Sequence, residues 1–273
     1  MSYRSRTTRP VGAVLAALAT VIVVAAGCSS SSKSTATTGT TVGGALSGSI
    51  TVSAAASLTG TFTDLGKSFE QAHAGTTIHF NFGSSAALVT QIQQGSAADV
   101  FASASSKTMD DLVGSGDVQG QPTVFAKNKL EIVVKPGNPL GITSLTDLTK
   151  AKTVALCASD APCGAAADKA LTQAEVTLPA SQVTRGADVK ATLAEVTTGD
   201  ADAAIVYVTD AKTVTAAQGT AVPLPASQQV IATYEIAQVK GSENGQLDQA
   251  WIAYVTGSEG QSVLAAAGFL PPS

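Results

Sequence analysis

An α/β protein of two lobes, each a mostly parallel sheet flanked by helices, is predicted by three features of the chain. Short β-branched runs alternate with helical patterns from Ile50 to Val113 and again from Leu130 to Tyr207, an order that produces parallel sheets covered on both faces. The rhythm changes between Phe125 and Val134, and a long strand pattern returns at Gln229–Val239. The chain is therefore expected to cross twice between lobes, near Phe125–Lys127 and near Gln228–Ala232, forming a hinge beside a ligand cleft.

In order, Ile50–Ala56 opens as a strand and reaches Ser57, after which Phe62, Leu65 and Phe69 mark one face of a helix. Thr77–Phe82 alternates as a second strand, Gly83-Ser84-Ser85 turns, and Ala87, Leu88, Gln91 and Ile92 begin a second helix. Each turn ends in a serine at a helix start, where unpaired N–H groups and the helix dipole attract anions. A serine there also reads as a plain N-cap, and that alternative stands.

Asp99–Ala104 is a third strand, and Met109–Val113 begins a helix. Leu130–Val134 is a strand, Pro136–Pro139 a turn, and Ser144 caps a helix running into Leu148. Thr153–Cys157 is a buried strand leading to a helix over Ala165–Leu171. Asp188-Val189-Lys190 opens another helix, Ala203–Tyr207 is a central strand, and Leu247–Tyr254 and Gly260–Ala267 are closing helices.

The 273 residues suffice for a large core, and 44% hydrophobic with 4% aromatic residues is an Ala- and Val-rich globular composition. Arg4, Arg6 and Arg9 precede an apolar run from Val11 to Ala26, as in a secretory signal, expected at 1–27. Ala25-Ala26-Gly27-Cys28 resembles a bacterial lipobox, whose cysteine is lipidated; an ordinary signal-peptidase site is the alternative. Ser29–Gly44 has no apolar periodicity and reads, within 28–47, as a flexible Ser/Thr/Gly tether. The lobes are expected at 48–126 with 229–273, and at 127–228. The formal charge of -4 becomes about -7 once the leader's three arginines are removed, and no basic patch invites nucleic acid.

Catalytic chemistry is sparse. His73 and His79 are the two histidines; neither sits in an HExxH pattern or beside a nucleophile signature, so surface or packing roles are expected. Asp110-Asp111 and Asp200–Asp202 match no calcium loop and read as solvated helix ends, and no GxxxxGK phosphate loop occurs. Trp251 and Tyr254, at helical spacing, read as core. Cys157 and Cys163, six apart, suit a disulfide in an exported protein, with a two-thiol metal site as the alternative. No enzyme, no cofactor and no resident metal are expected.

Several segments together, Ile50–Thr59, Phe82–Ser85, Gln94–Ala104, Pro162-Cys163-Gly164 and Ile205–Ala211, resemble the molybdate-binding proteins of bacterial ABC-type importers. The resemblance runs in order from about Ile50 to the C-terminus. It implies the type II periplasmic binding fold, two lobes that close over molybdate or tungstate and deliver it to an ABC permease. It further implies that Ser57 and Ser85 donate through hydroxyl and backbone N–H, that Cys163 and Val189 donate backbone N–H groups, and that Tyr207 donates its hydroxyl. Cys163 stands where the family commonly has alanine, which leaves a backbone donor intact. Arg185 and Lys190, close to Val189, are rival candidates for anion contact.

Such a donor set suits a fully deprotonated tetrahedral dianion, since every oxygen accepts and none gives a proton. Hydrogen phosphate carries a proton that finds no acceptor, at a cost on the order of 1–3 kcal/mol. Sulfate passes that test and must be rejected by size, so a binding protein for sulfate or phosphate is the alternative function. An exported enzyme with a nucleophile at Ser57 or Ser85 is the rival of another class; it lacks a GxSxG elbow and a base. The expected protein is a monomeric lipoprotein, held by Cys28 on the outer face of the cytoplasmic membrane.

Overall fold

A computed structural model of the chain describes residues 46–273. The expected leader, Cys28 and nearly all of the expected tether lie outside the described residues. Two five-stranded sheets organise the described chain.

The first sheet contains β1 (Gly48–Ala55), β2 (Thr76–Gly83), β3 (Val100–Ser103), β4 (Val118–Asn128) and β10 (Ala232–Val239), in the order β2-β1-β3-β10-β4. Helices α1 (Thr59–Ala72), α2 (Ser85–Gln93) and α3 (Ser106–Gly114) connect its early strands. The second contains β5 (Leu130–Val134), β6 (Val154–Cys157), β7 (Val183–Gly186), β8 (Ala203–Tyr207) and β9 (Thr220–Pro223), in the order β7-β6-β8-β5-β9. Its connections carry α4 (Pro162–Gln173), α5 (Val189–Thr197) and the single turn α6 (Val208–Ala211). Helices α7 (Gly245–Thr256) and α8 (Ser258–Ala267) follow β10.

In each sheet one strand runs against the rest: β10 is antiparallel to β3 and β4, and β5 is antiparallel to β8 and β9. Each reversed strand is the one that enters its sheet from the other lobe. The first crossing is abrupt, because Lys129 alone separates β4 from β5; the second runs from Leu224 to Ile231.

Parallel register decides where the connecting turns emerge. Ala55 lies opposite Gly83, and Cys157 opposite Gly186, so consecutive strands of each sheet end side by side. Neighbouring helices must then start at the same edge, which is where open α/β sheets bind ligands.

Several elements differ from expectation. The returning strand begins at Ala232 rather than Gln229, because the Gln229 side chain itself pairs with the Leu130 backbone, accepting from its N–H at 3.1 Å and donating to its carbonyl at 2.9 Å. An amide side chain thereby does the work of a strand neighbour. Ser144 caps no helix: a 3-10 turn over Thr146–Lys150 stands there, and the Ser144 hydroxyl donates to Asp147 at 3.1 Å. Strand β4 starts at Val118, ahead of the apolar run, since it is an edge strand whose exposed stretch can be polar and hold Pro122. Asp202 is no solvated helix end but ties three segments together, pairing with Lys135 at 2.7 Å and accepting from the N–H groups of Lys152 and Thr153.

Trp251 of α7 is fully buried, with Phe62 and Phe69 meeting it edge-on at 5.7 and 5.5 Å between ring centroids. These contacts fasten α7 and the apolar face of α1 to the first sheet. His73 packs its ring on Phe69 at 4.4 Å and His79 is exposed. Trp251→Ala is expected to cost about 3–5 kcal/mol in denaturant unfolding, whereas His79→Ala should stay within about 0.5 kcal/mol of the parent.

Candidate functional site

Six strand-to-helix junctions open onto one small cavity between the two sheets, Ala104 marking the one after β3. Ser57 and Ser85 reach it from the first lobe, and Cys163, Val189 and Tyr207 from the second. All five predicted residues are brought together, each less than a tenth exposed.

Neither serine is an N-cap. Ser57 lies in a 3-10 turn, Ala56–Leu58, ahead of α1, and its hydroxyl is 2.7 Å from the Tyr234 hydroxyl. Ser85 is the first residue of α2, and its oxygen accepts from the Ala104 N–H at 3.1 Å, leaving its own proton free to donate. Ser84, the residue that does precede α2, makes no capping bond through its side chain, so the helix's leading N–H groups are not taken locally.

The second lobe offers backbone donors by a different route in each helix. At α4, Ala161 has no side chain able to cap and Pro162 has no N–H, which makes Cys163 the first residue with a donor. At α5, the Asp188 carboxylate accepts from Lys190 and Ala191 at 2.9 and 3.0 Å, the second and third N–H groups. The first, that of Val189, is left for the cavity. Asp188 also lines the cavity, but its charge is spent on the helix it caps.

Cys163 is bonded to Cys157 in a disulfide, which links the end of β6 to the first turn of α4. Gly164 is required beside it: a Cβ there would lie 2.0 Å from the Ala158 carbonyl oxygen.

Tyr207 is 1% exposed and its hydroxyl has no hydrogen-bond partner among the described residues. Burial, reinforced by Tyr234 and Asp210, pushes its pKa well above the ordinary tyrosine value, so it remains a neutral donor. An unsatisfied buried hydroxyl on a cavity wall is costly without a partner.

Among the described residues no lysine or arginine lines the cavity. Arg185 forks onto Asp168 at 2.9 and 3.2 Å and donates to the Cys157 carbonyl, while Lys190 holds the buried Asp210 at 2.7 Å. Burial pushes the Asp210 carboxyl up, and the Lys190 charge opposes that shift. Both rival cations are committed elsewhere. Among the described residues no group of three or more His, Cys, Asp or Glu could hold a metal ion. Tyr234 and Asn128, which stand behind Ser57, were not legible in the sequence; the one trace was Tyr234 sharing a strand face with Ala232 and Ile236.

Two lobes joined by two crossings, with helix starts facing each other across a cleft, are the architecture of a solute-binding protein, and the chain belongs to the family described as bacterial extracellular solute-binding proteins, whose profile matches residues 50–270. Within that family it is similar to the molybdate-binding protein ModA of Mycobacterium tuberculosis, 39% identical over 226 residues and covering 82% of this chain and 85% of that one. Among solved structures, the periplasmic molybdate-binding protein of Azotobacter vinelandii superposes with a TM-score of 0.74 at 22% identity, covering 82% of this chain and all of that one. The sulfate-binding protein SubI of Mycobacterium tuberculosis superposes at 0.73 with 20% identity, covering 82% and 86%. At those identities the two superpositions speak for the fold alone.

The disulfide closes a small loop, and replacing both Cys157 and Cys163 by alanine is expected to cost about 2 kcal/mol, read from chemical denaturation of the pair variant against the oxidised parent.

Proposed function

We propose that this protein is an extracytoplasmic substrate-binding protein that captures molybdate, or tungstate, in the interlobe cavity and delivers it to an ABC permease. The observation that carries the reading is a cavity into which both lobes present neutral donors and which, among the described residues, no basic side chain lines; its one acidic residue, Asp188, accepts from the α5 N–H groups that it caps. Ser57 and Ser85 donate through hydroxyl and backbone, Cys163 and Val189 through backbone N–H, and Tyr207 through the hydroxyl that otherwise has no partner. Hydrogen bonds to an ion contribute roughly 1.5–3 kcal/mol each, and the starts of α2, α4 and α5 add their dipoles. Similarity to ModA over most of the chain supports the same oxyanion.

The first lobe comprises 48–126 and 229–273, the second 127–228, and closure of one on the other completes the donor set. Cys28 anchors the monomer by lipid to the outer face of the cytoplasmic membrane, with 28–47 as the tether. The protein performs no chemistry on its ligand; release to the permease follows from reopening the lobes. Sulfate is the competing ligand, because it too accepts at every oxygen.

A thermal-shift panel of molybdate, tungstate, sulfate and phosphate decides among these, since a ligand bound by the native state alone raises the melting point. Molybdate and tungstate should stabilise most; a larger shift with sulfate would replace the assignment. Ser57→Ala should weaken molybdate binding by at least tenfold in calorimetry without changing the unliganded melting point by more than a few degrees. Affinity should also stay flat from about pH 6 to 9, because both buried tyrosines are raised above their ordinary value and hold their protons throughout.

A further inference from the structure

Behind the cavity lies a chain of buried hydrogen bonds whose direction can be read from one end. The Lys129 N–H donates to Asn128 Oδ1 at 2.9 Å, which fixes the amide so that Nδ2 faces the other way. Asn128 Nδ2 donates to Thr209 Oγ1 at 2.9 Å and to the Tyr234 oxygen at 3.4 Å. The Tyr234 oxygen thus accepts from Asn128, and Ser57 Oγ, 2.7 Å away, is the acceptor within reach of the Tyr234 proton; either hydroxyl of that pair could donate by distance alone, and the relay proposed below takes Tyr234 as the donor. With that lone pair occupied, the Ser57 proton is turned to the cavity. Asn128 and Tyr234 are wholly buried and Ser57 is 6% exposed, so water does not compete for these bonds.

We infer that Asn128 and Tyr234 are positioning residues that hold the Ser57 hydroxyl as a donor, and thereby set the preference for fully deprotonated oxyanions over protonated ones. This rests on the proposed function, and deepens it: neither residue lines the cavity, yet both decide what Ser57 presents to it. Asn128 ends β4 at the first crossing and Thr209 lies in the other lobe, so the relay starts at the hinge.

A double-mutant cycle read by calorimetry, with molybdate and inorganic phosphate as probes, tests this. Tyr234→Phe should weaken molybdate about tenfold and phosphate less than threefold. In a Ser57→Ala background it should weaken molybdate no further, because there is no hydroxyl left to orient. Asn128→Asp, nearly the same shape but an acceptor, reverses the relay and should weaken molybdate more than Tyr234→Phe does; most of that loss should vanish in the Ser57→Ala background, whereas simple charge repulsion would persist there. Losses that add to that of Ser57→Ala, or that strike both anions equally, would overturn the relay while leaving the functional reading in place. A parent protein that takes up no molybdate would remove both.

Discussion

A doubly charged ion held without a cation has to be solvated by dipoles, and the proposed function makes that the constraint on this cavity. Water solvates such an ion with many loosely ordered donors; the protein must supply fixed ones and place them before the ion arrives. Strand-to-helix junctions do so at low cost, since the leading N–H groups of a helix lack internal partners whether or not a ligand is present. The cavity draws such junctions from two sheets, and no single sheet edge could surround a tetrahedral ion of the kind proposed. On the proposed function, the two-lobed architecture serves the ligand's shape as much as its capture and release.

The placing of the junctions is in turn a matter of register. Ala55 beside Gly83 and Cys157 beside Gly186 bring helix starts to a common edge in each sheet. The single-residue crossing at Lys129 then limits how far one edge can stray from the other. Arg185 and Lys190, near as they are in sequence to Val189, are kept from the cavity by Asp168 and Asp210. Their commitment elsewhere leaves the dipoles to act alone.

Much of this was legible in the residue order. Alternating β-branched runs and amphipathic helices announce both lobes, and the small-residue turns at Ser57 and Ser85 announce two of the junctions that line the cavity. Less visible were features that depend on three-dimensional partners. Strand β4 is polar over its early stretch because an edge strand owes little to burial, and Ser144 looked like a cap because local pattern could not reveal that Asp147 would draw its hydroxyl. Tyr234 and Asn128 were hidden for the same reason: they are 106 residues apart in the chain and meet only once the second lobe has been completed. The places of Cys163 and Val189 on the cavity wall were expected from resemblance alone, since a backbone N–H leaves no mark on residue identity.

Beyond its donors, the cavity wall is made largely of Ala55, Ala56, Gly83 and Ala104. Residues of this kind have no rotamers with which to adapt, so the bore of the enclosure is set by main chain in a close-packed surround. A stiff gauge of that sort sorts spheres of nearly equal chemistry by radius: an ion a little too small rattles out of reach of some contacts, and one too large props the jaws apart. On the proposed function, selection between sulfur and its heavier metal analogues falls to the scaffold's rigidity rather than to any one side chain.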